Sequence, residues 1–153
     1  MNALIEQLKR HAGFRDWPHQ CSAHKRTIGY GYNIDANPLK LSAYELDRFC
    51  AKGITEKTAE NLLIDQVYKL RFALEGKFPW WSKLNEARQG VLINMAYDLG
   101  LNGLMEFKKT MACIEHGDYA KASKEMLHSG WAIQVAGRAK ELSEQMKTGH
   151  RAE

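Results

Sequence analysis

The chain carries three cysteines, Cys21, Cys50 and Cys113, an odd count with no C-x-x-C spacing. They outline neither a disulfide framework nor a zinc site, and they suit a protein made in a reducing compartment. His19, His24, His116, His128 and His150 show no i, i+4 pairing, so no metal site is expected. Between Trp17 and Asp35 the apolar pattern has period two, which predicts a strand. Ile28, Tyr30, Tyr32 and Ile34 fall on one face, and Thr27, Gly29, Gly31 and Asn33 on the other. Large side chains pack one side while a nearly bare backbone faces the other. Glycines at i and i+2 on one strand face mean either a tightly packed edge or close approach by a ligand.

The surrounding elements must position that strand. Ala3, Leu4, Ile5, Leu8 and Ala12 recur at helical spacing and predict a first helix ending near Gly13. Beyond Asn37-Pro38 the pattern is helical throughout. Ser42 and Glu45 form a capping box that opens a short helix towards Phe49, closed by Gly53. Thr55-Glu56 begins a long helix carrying Leu62, Leu63, Val67, Leu70 and Leu74, with a reach of about 30 Å. Asn85 caps a helix that stops at Gly100, and another begins at Gly103-Leu104 with Phe107, Met111 and Ile114 on its apolar face. Asp118 caps the next, and Ser129 and Trp131 start the closing run. This is an α+β arrangement of a small β lobe and a larger helical lobe.

Composition sets outer limits. With 153 residues, 44% apolar and 26% charged, the chain is long enough for one domain with its own core. Its 22 basic and 18 acidic side chains leave a net charge of +4. The basic residues alternate with acidic ones along helical faces instead of forming a stripe, so no nucleic-acid groove is expected. Glu6, Lys9 and Arg10 interrupt the N-terminal apolar run, which excludes a secretory h-region; no later run approaches the roughly 18 apolar residues of a membrane span.

Gly13-Phe14-Arg15, Cys21 and Thr27-Ile28-Gly29-Tyr30-Gly31 together resemble the phage-type lysozymes. These are endolysins that hydrolyse the β-1,4 bond between N-acetylmuramic acid and N-acetylglucosamine in peptidoglycan. The family motif has a glutamate just before glycine at the end of the first helix, eight intervening residues, an Asp or Cys, five more, then Thr followed by Ile-Gly-x-Gly. Here eight residues separate Ala12 from Cys21 and five separate Cys21 from Thr27. The spacing is the family's, and the residue at position 12 is not. Asn94 to Gly100 resembles the family's Asn-Met-x-aromatic-polar-x-Gly helix, while Phe107, Thr110, Ser129, Trp131, Gln134 and Arg138 stand in matching places. The implied fold is a single lysozyme-like domain over 1–153, with a β lobe at about 14–53 and a connecting helix at about 55–75. Its helical lobe spans about 76–153 and includes the N-terminal helix 2–12.

The resemblance also assigns roles. Glycoside hydrolysis needs a protonated acid beside the leaving oxygen and a second group that handles water on the opposite face. The family is held to invert, so Thr27 is expected to hold that water and Cys21 to occupy the second catalytic position. A thiol with an ordinary pKa near 8.5 is only a few per cent ionised at neutral pH, a fraction that His24, Lys25 and Arg26 would raise. Ala12 has no proton to give, so the chain as it stands is expected to be nearly inactive, since a positioned general acid supplies about 10²–10⁴ in rate. Two origins stay open: an engineered replacement of a parental glutamate, or a natural protein that kept the cleft and lost the acid. In the family a late arginine pairs with the catalytic glutamate, so Arg138 is expected to lack its partner here. Substrate contacts are expected from Gly29, Gly31, Asn33, Tyr97, Asp98, Thr110 and Arg138. Trp80-Trp81 offers either a sugar-stacking platform or, after Pro79, core packing; the latter is favoured. The expected partner is peptidoglycan, met by a monomer without cofactor, nucleic acid or stable membrane insertion. The protein is expected to wait in the host cytoplasm until a holin opens the membrane. The competing reading is a peptidoglycan-binding protein that never cleaves.

Overall fold

The computed structural model describes residues 1–20, 25–37, 39 and 41–151. By their contacts they group into two compact units, Met1–Val67 and Tyr68–Glu153.

In the first unit, helix α1 (Asn2–Ala12) buries Leu4, Ile5 and Leu8 along one stripe, and Gly13 closes it by donating its N–H to the Lys9 carbonyl at 2.9 Å. Although the family resemblance grouped this helix with the later ones, its contacts place it in the first unit. Lys9 pairs with Glu60 and lies 5.5 Å from the centre of the Tyr30 ring. Strands β1 (Arg15–Gln20), β2 (Arg26–Gly29) and β3 (Tyr32–Asn33) form an antiparallel sheet in the order β1-β2-β3. Thr27 pairs with His19 on one side and Asn33 on the other, and Ile28 pairs with Tyr32.

The single alternating strand expected from Thr27 to Ile34 is therefore a hairpin. Gly29 at φ 65° and Gly31 at φ 68° turn the chain back around Tyr30, a left-handed conformation that side chains with a Cβ resist. Tyr30 packs at this tip against Phe14, ring centres 5.6 Å apart. Gly29 is buried, and a Cβ added there would lie 2.8 Å from the Cβ of Ala59. Close packing alone thus requires glycine at position 29.

Helix α2 (Ala43–Lys52) has the expected capping box, with Ser42 and Glu45 each accepting the other's backbone N–H. Helix α3 (Glu56–Lys77) begins where Thr55 accepts the N–H of Thr58, and it continues through Gly76. Its 22 residues span about 33 Å and contribute to both units.

In the second unit Trp80 and Trp81 are buried, and Trp80 stacks on Phe78 with ring centres 4.4 Å apart. They are core residues, as favoured above. Helix α4 (Glu86–Met105) is capped by Asn85, buries Val91, Leu92, Ile93 and Met95, and is broken at Gly100 (φ 76°, ψ 165°). Helix α5 (Lys108–Glu115) starts only after Phe107, later than Gly103-Leu104, because the turns after the break hold residues up to Met105 in helical register. Helices α6 (Tyr119–Leu127), α7 (Gly130–Gln134) and α8 (Ala136–Thr148) follow, the first two capped by Asp118 and Ser129. The core ties α4 to α8: Gln145 Nε2 donates to the Ala87 carbonyl and Arg88 Nε to that of Met146, at 2.6 and 2.8 Å. A small antiparallel sheet with a majority of helix is the expected α+β, lysozyme-like fold. Among the described residues no helix is long and apolar enough to cross a membrane.

Candidate active site

Candidate residues occur in both units. In the first, Ala12 is the last residue of α1 and its side chain is exposed. Cys21 and His24 lie outside the described residues. Arg26, expected to promote ionisation of Cys21, has a partner of its own: its Nε is 3.1 Å from Asp35 Oδ1 and its backbone N–H donates to Asp35 Oδ2 at 2.9 Å. The backbone hydrogen bond first, and the guanidinium second, hold the Asp35 carboxyl below the ordinary carboxylate range.

Thr27 is only 6% exposed. Its Oγ1 lies 3.4 Å from His19 Nε2 across the β1–β2 pair. The other nitrogen of that ring, Nδ1, is buried with no hydrogen-bond partner among the described residues. His19 was noted in the sequence only for lacking a metal-like spacing. Its place beside Thr27 follows from strand register, which spacing along the chain does not reveal. On the opposite flank Asn33 turns its amide oxygen to the backbone, accepting the N–H groups of Asp35 and Ala36 at 3.0 and 3.1 Å. That oxygen closes a turn; such asparagine turns are self-contained. Gly31 is half-buried at the hairpin tip.

In the second unit, Tyr97 and Asp98 are half-buried in the turn of α4 before Gly100. Asp98 Oδ2 accepts from Trp131 Nε1 at 3.2 Å and lies 3.6 Å from Arg138 Nη2. Arg138, expected to lack a glutamate partner at position 12, has the Asp98 carboxylate beside it. The Trp131 ring meets Phe107 edge to face, centres 6.1 Å apart. Trp131, Phe107 and Thr110 line a cavity of about 580 Å³ together with Ser129, Glu106 and Glu125. Thr110 is 2% exposed, so it shapes the wall of this cavity and offers little surface of its own. The structure thus joins Asp98 to Arg138 and brings Trp131 to both Asp98 and Thr110. In the sequence Trp131 marks the start of the closing run and a match to the family pattern, neither of which reveals the bond to Asp98. Its indole N–H needs an acceptor when the ring is buried, a requirement that points to a polar residue without saying which.

Comparison with known proteins agrees with this fold. A family model described as phage lysozyme matches residues 9–147. Over 97% of its length the chain is 26% identical to the pre-baseplate central spike protein Gp5 of Enterobacteria phage T4, covering 28% of that protein. It is 32% identical to probable T4-type lysozyme 1 of Dictyostelium discoideum over 80% of this chain and 66% of that one. A second Dictyostelium discoideum protein, probable T4-type lysozyme 2, is 29% identical over 45% of this chain and 41% of its own length. The chain thus spans from 28% to 66% of the length of these relatives. Since the family model covers nearly the whole chain, which has the sheet, long helix and helical unit described above, the protein belongs to the phage lysozyme family.

Proposed function

We propose that the chain is a lysozyme-type glycoside hydrolase fold acting on peptidoglycan, disabled at position 12. The observation that carries the reading is the family's spacing between Ala12, at the end of α1, and Thr27, on the central strand β2. Ala12 is the last residue of α1, its side chain exposed, and Thr27 carries a largely buried hydroxyl on β2. A glutamate at position 12 would be the general acid, and Thr27 would hold the water that attacks from the opposite face with inversion. Cys21 occupies the place of the second catalytic group in sequence. Gly31, Asn33, Tyr97, Asp98 and Arg138 remain the proposed substrate contacts, whereas Gly29 and Thr110, also expected to touch substrate, are buried and would act by shaping the site. Asp98 and Arg138 are the strongest of these, because they already form one charged pair beside Trp131. In its present form the chain binds the wall without cleaving it. The parental role is that of an endolysin that leaves the host cytoplasm through a holin-type lesion.

The test is Ala12→Glu. Clearing of permeabilised Gram-negative cells should rise about 10²–10⁴-fold over the present chain, and both forms should sediment with purified sacculi. Unchanged turbidity with the Glu variant, against a control lysozyme that clears, overturns the hydrolase reading. Retained sedimentation would then favour a pure binding protein, the alternative that the Ala12 methyl itself supports.

A further inference from the structure

His19, Thr27 and Asn33 form a row across the three strands, because β1 pairs His19 with Thr27 and β2 pairs Thr27 with Asn33. Directly paired residues share a face of the sheet, so the Thr27 hydroxyl has an imidazole on one flank and an amide on the other. The amide oxygen is committed to the backbone of Asp35 and Ala36. The imidazole approaches Thr27 Oγ1 with Nε2 at 3.4 Å, while Nδ1 is buried without a hydrogen-bond partner among the described residues. A neutral imidazole carries one proton, on one nitrogen or the other. Placed on Nδ1, that proton would be a buried donor with no acceptor, the rarer and costlier kind of orphan. Placed on Nε2, it is given to the Thr27 oxygen.

We propose that His19 is a positioning residue for the hydrolytic reaction: it donates Nε2–H to Thr27 Oγ1 and so fixes the direction in which the threonine hydroxyl points. A hydroxyl is one donor and two acceptor sites on a free rotor. With one acceptor site filled from His19, the threonine proton turns away from the imidazole. The O–H and the remaining lone pair then face the attacking water. His19 exchanges no proton with substrate; it removes a rotational freedom that the water site would otherwise have to freeze. This role rests on the lysozyme reading above, whereas the hydrogen bond itself does not.

The experiment has two arms. In the chain as it exists, long-range 1H–15N spectra of the His19 ring should show the Nε2–H tautomer. Thr27→Val should shift the Nε2 resonance and Thr27→Ser should leave it in place. In the Ala12→Glu chain acting on soluble uncrosslinked peptidoglycan, His19→Phe should lower kcat about tenfold with KM within about twofold, the lower end of what misplacing a reacting group costs. His19→Gln, which carries an amide N–H able to reach the same oxygen, should recover most of that loss. An Nδ1–H tautomer, or an Nε2 resonance indifferent to Thr27→Val, overturns the hydrogen bond. A His19→Phe chain as fast as its parent overturns the positioning role, as does a folded His19→Gln chain no better than His19→Phe. An inactive Ala12→Glu chain overturns the lysozyme reading and the role with it, while the tautomer still decides the hydrogen bond.

Discussion

Replacing Gly29 by alanine separates packing from ligand approach as the reason for a glycine in the β2–β3 hairpin. Position 29 has φ 65°, and the new Cβ would sit 2.8 Å from the Ala59 Cβ of α3. The left-handed backbone costs a residue with a Cβ about 1–2 kcal/mol. Forcing an extra methyl into a closed contact costs about 1–3 kcal/mol more. Gly29→Ala should therefore lose about 2–5 kcal/mol, read as a fall in the urea midpoint by circular dichroism at neutral pH. Ala59→Gly alone loses about 1 kcal/mol of helix propensity and a buried methyl worth about 0.8 kcal/mol. In the double variant the steric conflict is gone while the backbone strain stays, so the cycle should show a favourable coupling of about 1–3 kcal/mol. A Gly29→Ala chain within about 0.5 kcal/mol of the parent, or strictly additive losses, refutes the packing argument. Restored stability with lost sedimentation on sacculi would instead assign the glycine to ligand approach.

Asp98→Ala removes the acceptor of Trp131 Nε1 and the neighbour of Arg138; Trp131 is buried while Asp98 and Arg138 are partly exposed, so the loss should be about 1–2 kcal/mol. Asp98→Asn keeps the acceptor and should lose less than half of that, and equal losses for the two variants would show that the indole bond is not the main contribution. Hydrogen bonds from Arg26 and its backbone to Asp35, from Ser42 and Thr58 to Glu45, from Lys9 to Glu60 and from Arg151 to Glu86 lower those four carboxyl pKa values. Their stabilising effect is full above the ordinary carboxylate range and is lost as pH falls through the depressed folded values, so the urea midpoint should decline below about pH 4; a midpoint unchanged from neutral pH to pH 3 contradicts this. Ala12→Glu places a carboxylate at the negative end of α1, next to Lys9, Arg10 and His11, and should change stability by at most about 1 kcal/mol. A loss above about 2 kcal/mol would mean that the exposed methyl is packed after all.

What the sequence disclosed and what it withheld divide along the range of the interactions involved. The Ser42–Glu45 box, the Gly13 and Gly53 stops and the Asn85 cap are contacts within one turn, so residue types at fixed offsets specify them. The hairpin looks like one strand in the sequence because alternation continues through a turn whose positive φ values lie at glycines, and glycine is silent in a hydrophobic pattern. His19 meets Thr27 only after an irregularity in the pairing between Arg15 and His19 has set the register. Asp98, Trp131 and Arg138 meet from three separate helices. Each member was legible as a family match, but the bond joining them was not.

The same division bears on the proposed loss of the acid, because the residues that build the fold are not those proposed to react. Residues that hold the first unit together, Leu4, Ile5 and Leu8 of α1 with Ile28 and Tyr32 of the sheet, are buried, and each is worth about 1.5–3 kcal/mol of burial. Ala12 is exposed at the end of its helix, where replacement changes folding by at most about 1 kcal/mol. A general acid, the role proposed for a carboxyl at that position, is worth about 3–5 kcal/mol to a reaction barrier. The side chains that specify the architecture are therefore other than the one proposed to supply the acid, so an Ala12→Glu exchange should leave the fold as it is. Asp98 beside Arg138 reinforces the separation, because the arginine of the helical unit has a carboxylate from its own unit.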